Sequence, residues 1–145
     1  VDPDPDDVMQ DEGGLELLGF RDSIDALLTP NAFLSGGAWM SIEPTSALVA
    51  VDVNTGSDTS FAAGLKTNLA AARDLPRQLR LRGLGGQIVV DFAPMARKDQ
   101  RQVEQVLRAG FKADGIETAL VGWTGLGHFE LQRKRERLPL SELLK

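Results

Sequence analysis

Two short apolar runs, Ala47-Leu48-Val49-Ala50-Val51 and Ile88-Val89-Val90, each close on an aspartate, Asp52 and Asp91. Runs this short and this rich in β-branched residues read as strands. Between them, from about Ser60 to Arg82, Phe61, Leu65, Leu69, Ala72 and Leu79 recur at helical spacing on one face. A strand, a crossover helix and a second strand in one sheet make a right-handed parallel unit, so both strands end on the same edge. Neighbouring strands lie about 4.8 Å apart, which brings the two carboxylates within reach of one cation. A carboxylate at the end of a buried strand is costly unless paired, and a divalent metal ion is the functional partner that suits it. For either residue alone there is a plainer reading: an Asx-type turn at Asp52-Val53-Asn54-Thr55-Gly56, or a turn or N-cap at Asp91.

The whole chain reads as an α/β domain with a mixed sheet and helices packed on it. Leu17, Phe20 or Ile24, Leu27 and Leu28 predict a helix over 15–28, stopped by Pro30. A hairpin follows, with strands at 38–42 and 46–52 around the turn Glu43-Pro44-Thr45. Pro76 predicts a kink or a division of the long helix, which Gly83 to Gly86 then end. A helix is expected over 99–112 with Val103, Val106, Leu107 and Phe111 inward, then strands at 118–122 and 126–133 and a short helix over 138–144. Residues 1–14, opening on Asp2-Pro3-Asp4-Pro5-Asp6-Asp7, are too polar to order themselves and read as a flexible acidic lead-in to a domain over 15–145.

Charge and composition narrow the function. The chain has no cysteine and one histidine, His128, so a metal must sit on oxygen or on that imidazole, and a zinc centre is excluded. No apolar run is long enough for a membrane span, and the acidic start is unlike a signal peptide, so a cytoplasmic protein without a membrane partner is expected. Residues 1–25 hold nine acids and one base, whereas the remainder holds 12 acids against 15 bases, a mildly basic body compatible with a polyanionic partner. Arg77, Arg80 and Arg82 fall at a helix end, where they read equally as phosphate contacts or as a solvated terminus favoured by the helix dipole. Arg97, Lys98, Arg101, Arg108 and Lys112 form a basic helix that either follows a phosphate backbone or simply keeps the surface soluble. Trp39, Trp123 and Phe129 are base-stacking candidates, with core packing the expected role of at least two. His128 is expected to be packed or at the surface rather than catalytic.

Longer motifs point to a family. Val51-Asp52-Val53-Asn54-Thr55-Gly56, Thr67-Asn68-Leu69, the stretch Arg77-Gln78-Leu79-Arg80-Leu81-Arg82-Gly83-Leu84-Gly85-Gly86-Gln87-Ile88-Val89-Val90-Asp91-Phe92, and Gly125 to Arg135 resemble the catalytic subdomain of the ribonuclease E/G family. The similarity runs from roughly Phe33 to Arg137. It implies a DNase I-like subdomain and a magnesium-dependent endoribonuclease that hydrolyses single-stranded RNA in RNA processing or decay, leaving a 5′-phosphate and a 3′-hydroxyl. Carried over residue by residue, it implies Asp52 and Asp91 as ligands of Mg²⁺, with Mn²⁺ a substitute, and Asn54 as the amide that orients Asp52. Arg77, Arg80, Arg82, Arg97, Lys98 and Arg101 are then weak RNA contacts.

The resemblance has gaps. Family enzymes place an oligonucleotide-binding barrel, a 5′-phosphate sensor and an RNase H-like portion ahead of this subdomain. Residues 15–145 are therefore expected to be a fragment or minimal homologue of a larger enzyme, partnered by single-stranded RNA and by further domains or copies of itself. Pro94 stands where the family is acidic again, and Asp114-Gly115-Ile116-Glu117 stands where it carries a 5′-sensing arginine, so no 5′-end sensing is expected. The alternatives are a non-catalytic RNA-binding or assembly module that keeps the fold and, more remotely, a nuclease acting on DNA.

Overall fold

Alternating side chains and one long helix dictate the architecture of the chain, seen here in a computed structural model that describes residues 21–22, 24–136 and 139–143. The acidic lead-in expected over 1–14, and most of the helix expected over 15–28, lie outside the described residues; residues 24–28 are helical. The elements in order are β1 (Asn31–Phe33), β2 (Trp39–Pro44), β3 (Val49–Asn54), α1 (Phe61–Arg82), β4 (Gly86–Asp91), α2 (Gln100–Asp114), β5 (Thr118–Trp123), β6 (Phe129–Arg133) and α3 (Leu140–Leu143). The strands form one mixed sheet in the order β1-β2-β3-β4-β6-β5. Only β3 and β4, joined through α1, run parallel; the other neighbours are antiparallel. The α/β class with helices packed on a mixed sheet is as the sequence predicts.

The period of two sorts each strand between two environments. Val49, Val51 and Val53 of β3, Ile88 and Val90 of β4, and Phe129 and Leu131 of β6 join one core with Ala71, Ala72, Leu75 and Leu79 of α1 and Val103, Leu107 and Phe111 of α2. The alternate residues Ala50, Asp52, Gln87, Asp91 and Gln132 face solvent. One face of the sheet is thus covered by both helices, and the other is open among the described residues. Among those residues no helix is long and apolar enough to cross a membrane.

Helix α1 spans the covered face and fixes where β3 leaves and β4 returns. Ser60 caps it, its Oγ accepting from the Ala63 amide at 3.2 Å. Gly83 ends it at φ 68°, and the Leu84 amide donates back to the Leu79 carbonyl at 2.9 Å in the Schellman pattern. The division expected at Pro76 as one alternative does not occur, for α1 is one helix from Phe61 to Arg82. Pro76 is buried where α2 crosses, and a Cβ on Gly110 of α2 would lie only 3.2 Å from its ring. Packing at that crossing holds the turn that proline would otherwise break. Both hairpin strands sit further along the chain than predicted, so β3 continues two residues beyond Asp52, and the helix expected over 99–112 runs from Gln100 to Asp114.

Candidate active site

Asp52 and Asp91 are direct register partners across the parallel pair β3 and β4. Because Val51 and Val90 point into the core, both carboxylates project from the open face. The sequence expectation of a desolvated pair is corrected here: both residues are exposed, and the Asp91 side chain is 60% accessible. The case for a cation therefore rests on adjacency, not on burial. Two like charges about one strand spacing apart repel each other unless a cation lies between them.

Around this pair the residues are polar and close. The Asn54 Nδ2 lies 3.5 Å from Asp52 Oδ2 and 3.4 Å from the Asp52 carbonyl. Ser41 is the register partner of Asp52 on β2. On the far side of Asp91, His128 Nε2 stands 3.8 Å from Asp91 Oδ1. Sequence reasoning passed over His128 by assigning it to a strand. It instead follows a turn at Thr124–Gly127, pinned by Thr124 Oγ1 accepting from the His128 amide at 3.1 Å. Since Val90 pairs with Phe129, the residue before Phe129 must come beside Asp91.

A buried clamp sets the exit of β4. Asn68 of α1 is fully buried, donates from Nδ2 to the Ala93 carbonyl at 2.8 Å, and accepts from the Ala93 amide at 2.9 Å. One turn earlier, Gly64 lets the chain pass so closely that a Cβ would fall 1.9 Å from the Pro94 carbonyl oxygen. These contacts hold the backbone just past Asp91. Gly64 and Asn68 lie one turn apart on the buried face of α1, a role that sequence reasoning missed because the segment they meet is distant in the chain.

The arginines separate into two groups. Arg82 is buried; it donates to Gln78 Oε1 at 3.0 Å and to the carbonyls of Leu27 and Thr29, and burial pulls its guanidinium below the ordinary range against the opposing charge of Asp74. Arg80 pairs with Asp114, and Arg77 with Asp74 at 2.9 Å. These three guanidiniums serve contacts within the chain. Arg97, Lys98 and Arg101 are exposed, shortly after Asp91 in the chain, and form no ion pair among the described residues. Arg108 pairs with Glu104 at 3.5 Å, and Lys112 is exposed. Trp123 and Phe129 pack edge to face at 5.1 Å against the core, whereas Trp39 lies on the open face.

The donor set fits a hard cation. Mg²⁺ and Mn²⁺ favour oxygen, and magnesium commonly takes one or two carboxylates with water and phosphate oxygens filling the rest. Among the described residues no set of three or more acidic, histidine or cysteine side chains gathers at one point, so a protein cage such as calcium or zinc favours is not formed there.

Residues 7–136 match the ribonuclease E/G family. The chain is 41% identical over 134 residues to ribonuclease E of Nostoc sp., an alignment covering 89% of this chain and 20% of that protein. It is 39% identical over 134 residues to ribonuclease E of Synechocystis sp., again covering 89% and 20%. To ribonuclease G of Escherichia coli K12 it is 34% identical over 138 residues, covering 89% of this chain and 27% of that one. The chain thus spans between 20% and 27% of the length of these relatives.

Proposed function

The chain belongs to the ribonuclease E/G family as an α/β, DNase I-like subdomain, and from that premise we propose that its open sheet face is the catalytic face of a magnesium-dependent endoribonuclease acting on single-stranded RNA. The observation that carries this reading is the side-by-side register of Asp52 and Asp91 on an exposed face, with no basic side chain among the described residues paired to either except His128. The relatives' names support a ribonuclease; the metal, the form of the substrate and a cytoplasmic setting belong to the proposal. So does its place within a longer, RNA-gripping chain or an assembly of copies.

In this mechanism Asp52 and Asp91 present the oxygen ligands for Mg²⁺, or for Mn²⁺ in its place. When bound, such an ion supplies positive charge to the phosphate and acidity to water. Asn54 limits the rotation of Asp52, so its carboxylate meets the ion without first being ordered. His128 restrains Asp91 from the other side. Arg97, Lys98 and Arg101 raise the local concentration of the RNA backbone. Cleavage leaves a 5′-phosphate and a 3′-hydroxyl.

The test combines binding and turnover. Calorimetry with magnesium should give a single site in the wild type that weakens sharply in Asp52→Asn and in Asp91→Asn, and both variants should lose magnesium-dependent cleavage of a single-stranded RNA. The neutral amide is a poorer ligand for a hard cation. Equal magnesium binding and equal cleavage by wild type and variants would overturn the carboxylate-pair site, and a wild type that binds RNA without cleaving it would make the domain a non-catalytic RNA-binding or assembly module.

A further inference from the structure

The open face carries two aromatic side chains that the carboxylate chemistry does not use. Phe33 on β1 pairs with Trp39 on β2, and Trp39 pairs with Asn54 on β3. The neighbouring residues Ala32, Met40 and Val53 point into the core, so alternation sends Phe33, Trp39 and Asn54 to the side that bears Asp52. Phe33 is 81% exposed. We propose that Phe33 and Trp39 form a stacking platform for one nucleobase of single-stranded RNA, next to the phosphodiester that the nuclease reading places at Asp52 and Asp91. The inference rests on that reading for its substrate.

Distance favours it. Directly paired residues on one face stand about 4.5–5.5 Å apart at Cβ and diagonal neighbours about 7–8 Å, which puts Trp39 beside Asn54 and diagonal to Asp52. A nucleotide whose phosphate reaches Asp52 can lay its base on Trp39 and Phe33.

Charge favours it as well. The fixed charges facing this side of the sheet include Asp52, Asp91, Glu43 and Glu130. Away from the bound cation and from Arg97, Lys98 and Arg101 such a surface repels phosphate, so a base held there is favoured by an attraction that does not depend on charge. Stacking on an aromatic ring is that attraction, and any base presents a π face to it. The patch is also too small for a protein partner: two aromatic side chains bury about 150–250 Å² each, short of the roughly 800 Å² per partner of a stable interface. Its borders are the polar Asn31, Ser41 and Asn54.

The experiment titrates the chain, with magnesium present, against a short single-stranded oligoribonucleotide and against the same strand with one base removed at each position in turn. Trp39 fluorescence and a labelled strand report binding. Phe33→Ala, at an exposed position, should weaken binding by about 5- to 150-fold, and Phe33→Tyr should restore it. Removing the critical base should weaken wild-type binding by a similar factor and add little to the Phe33→Ala defect. The platform is wrong if the wild type binds no RNA, if affinity is indifferent to Phe33→Ala, or if no base position matters. It is equally wrong if Phe33→Ala alters only self-association by sedimentation, which would make the patch a protein contact. Asp91→Asn tells the two readings apart. Full cleavage by that variant alongside base-dependent binding sinks the carboxylate-pair site and leaves the platform; loss of cleavage without base dependence sinks the platform alone.

Discussion

Asp114 and Asp91 each end a regular element, α2 and β4, yet their surroundings are opposite. Asp114 has a side chain only 1% exposed, bound by Arg133 at 2.8 Å and by Arg80. Arg133 is equally buried, donates to Thr118 Oγ1 at 3.1 Å, and stacks over Phe111 at 5.6 Å. Burial alone would raise the Asp114 carboxyl, but hydrogen bonds from Arg133 and Arg80 outweigh it and hold the group below the usual carboxylate range. Asp91 is exposed, with Asp52 at its side and His128 as its one basic partner among the described residues. A carboxylate neutralised by arginines holds the fold together. One left beside another carboxylate is available to a cation.

The sharpest way to break that contrast is to remove each charge. Asp114→Ala leaves Arg133 buried and unpaired, which should lower stability by about 3–5 kcal/mol. Asp91→Asn, at an exposed position, should stay within about 0.5 kcal/mol of the wild type. Urea unfolding of both variants measures the difference, and comparable losses would end the distinction.

The clamp behind Asp91 comes next. Gly64→Ala drives a methyl into the Pro94 carbonyl, an overpacking that should cost about 1–3 kcal/mol and shift the exit of β4. Magnesium affinity should therefore fall with stability, unlike in Asp114→Ala, whose site lies elsewhere. Calorimetry on both variants reads this directly.

Asn54→Ala should leave stability unchanged while reducing magnesium affinity or cleavage by about 10- to 100-fold, because the amide only orients Asp52. A loss as complete as that of Asp52→Asn would make Asn54 a ligand instead.

The smallest effect is acid sensitivity. The folded pKa of Asp114 lies below its unfolded value of about 3.9, so its stabilising contribution is full above that pH and is lost as pH falls through the folded value. Asp114→Asn should flatten the stability profile below about pH 4, read from thermal unfolding at stepped pH. A profile as steep as the wild type's would assign acid unfolding to other carboxylates.

How the chain divides between what could be read and what could not follows from the range of the interactions. The pairing of Asp52 with Asp91 was legible because strand periodicity and the handedness of a strand-helix-strand crossover are rules of local chain geometry. The end of α1 at Gly83 and the inward face of α2 follow from the same short-range patterns, whereas the face expected for α1 is corrected. Phe61 is 59% exposed, and the buried stripe runs through Gly64, Asn68, Ala71 and Leu75 because the β4 exit and α2 pack there. The direction the carboxylates face was decided by tertiary structure, for it depends on which side α1 and α2 settle upon. So was the fate of the arginines. Arg80 meets Asp114 and Arg82 meets the carbonyls of Leu27 and Thr29 across long stretches of chain, so no local pattern separates them from the exposed Arg97 and Lys98. Asp114, read from the sequence only as a departure at a 5′-sensing position, is the counter-ion that makes a buried Arg133 tolerable. By itself the sequence determined which side chains share a face, since backbone period alone sets that; which of them stay in water was decided only when distant segments packed, because desolvation and pairing belong to the assembled fold.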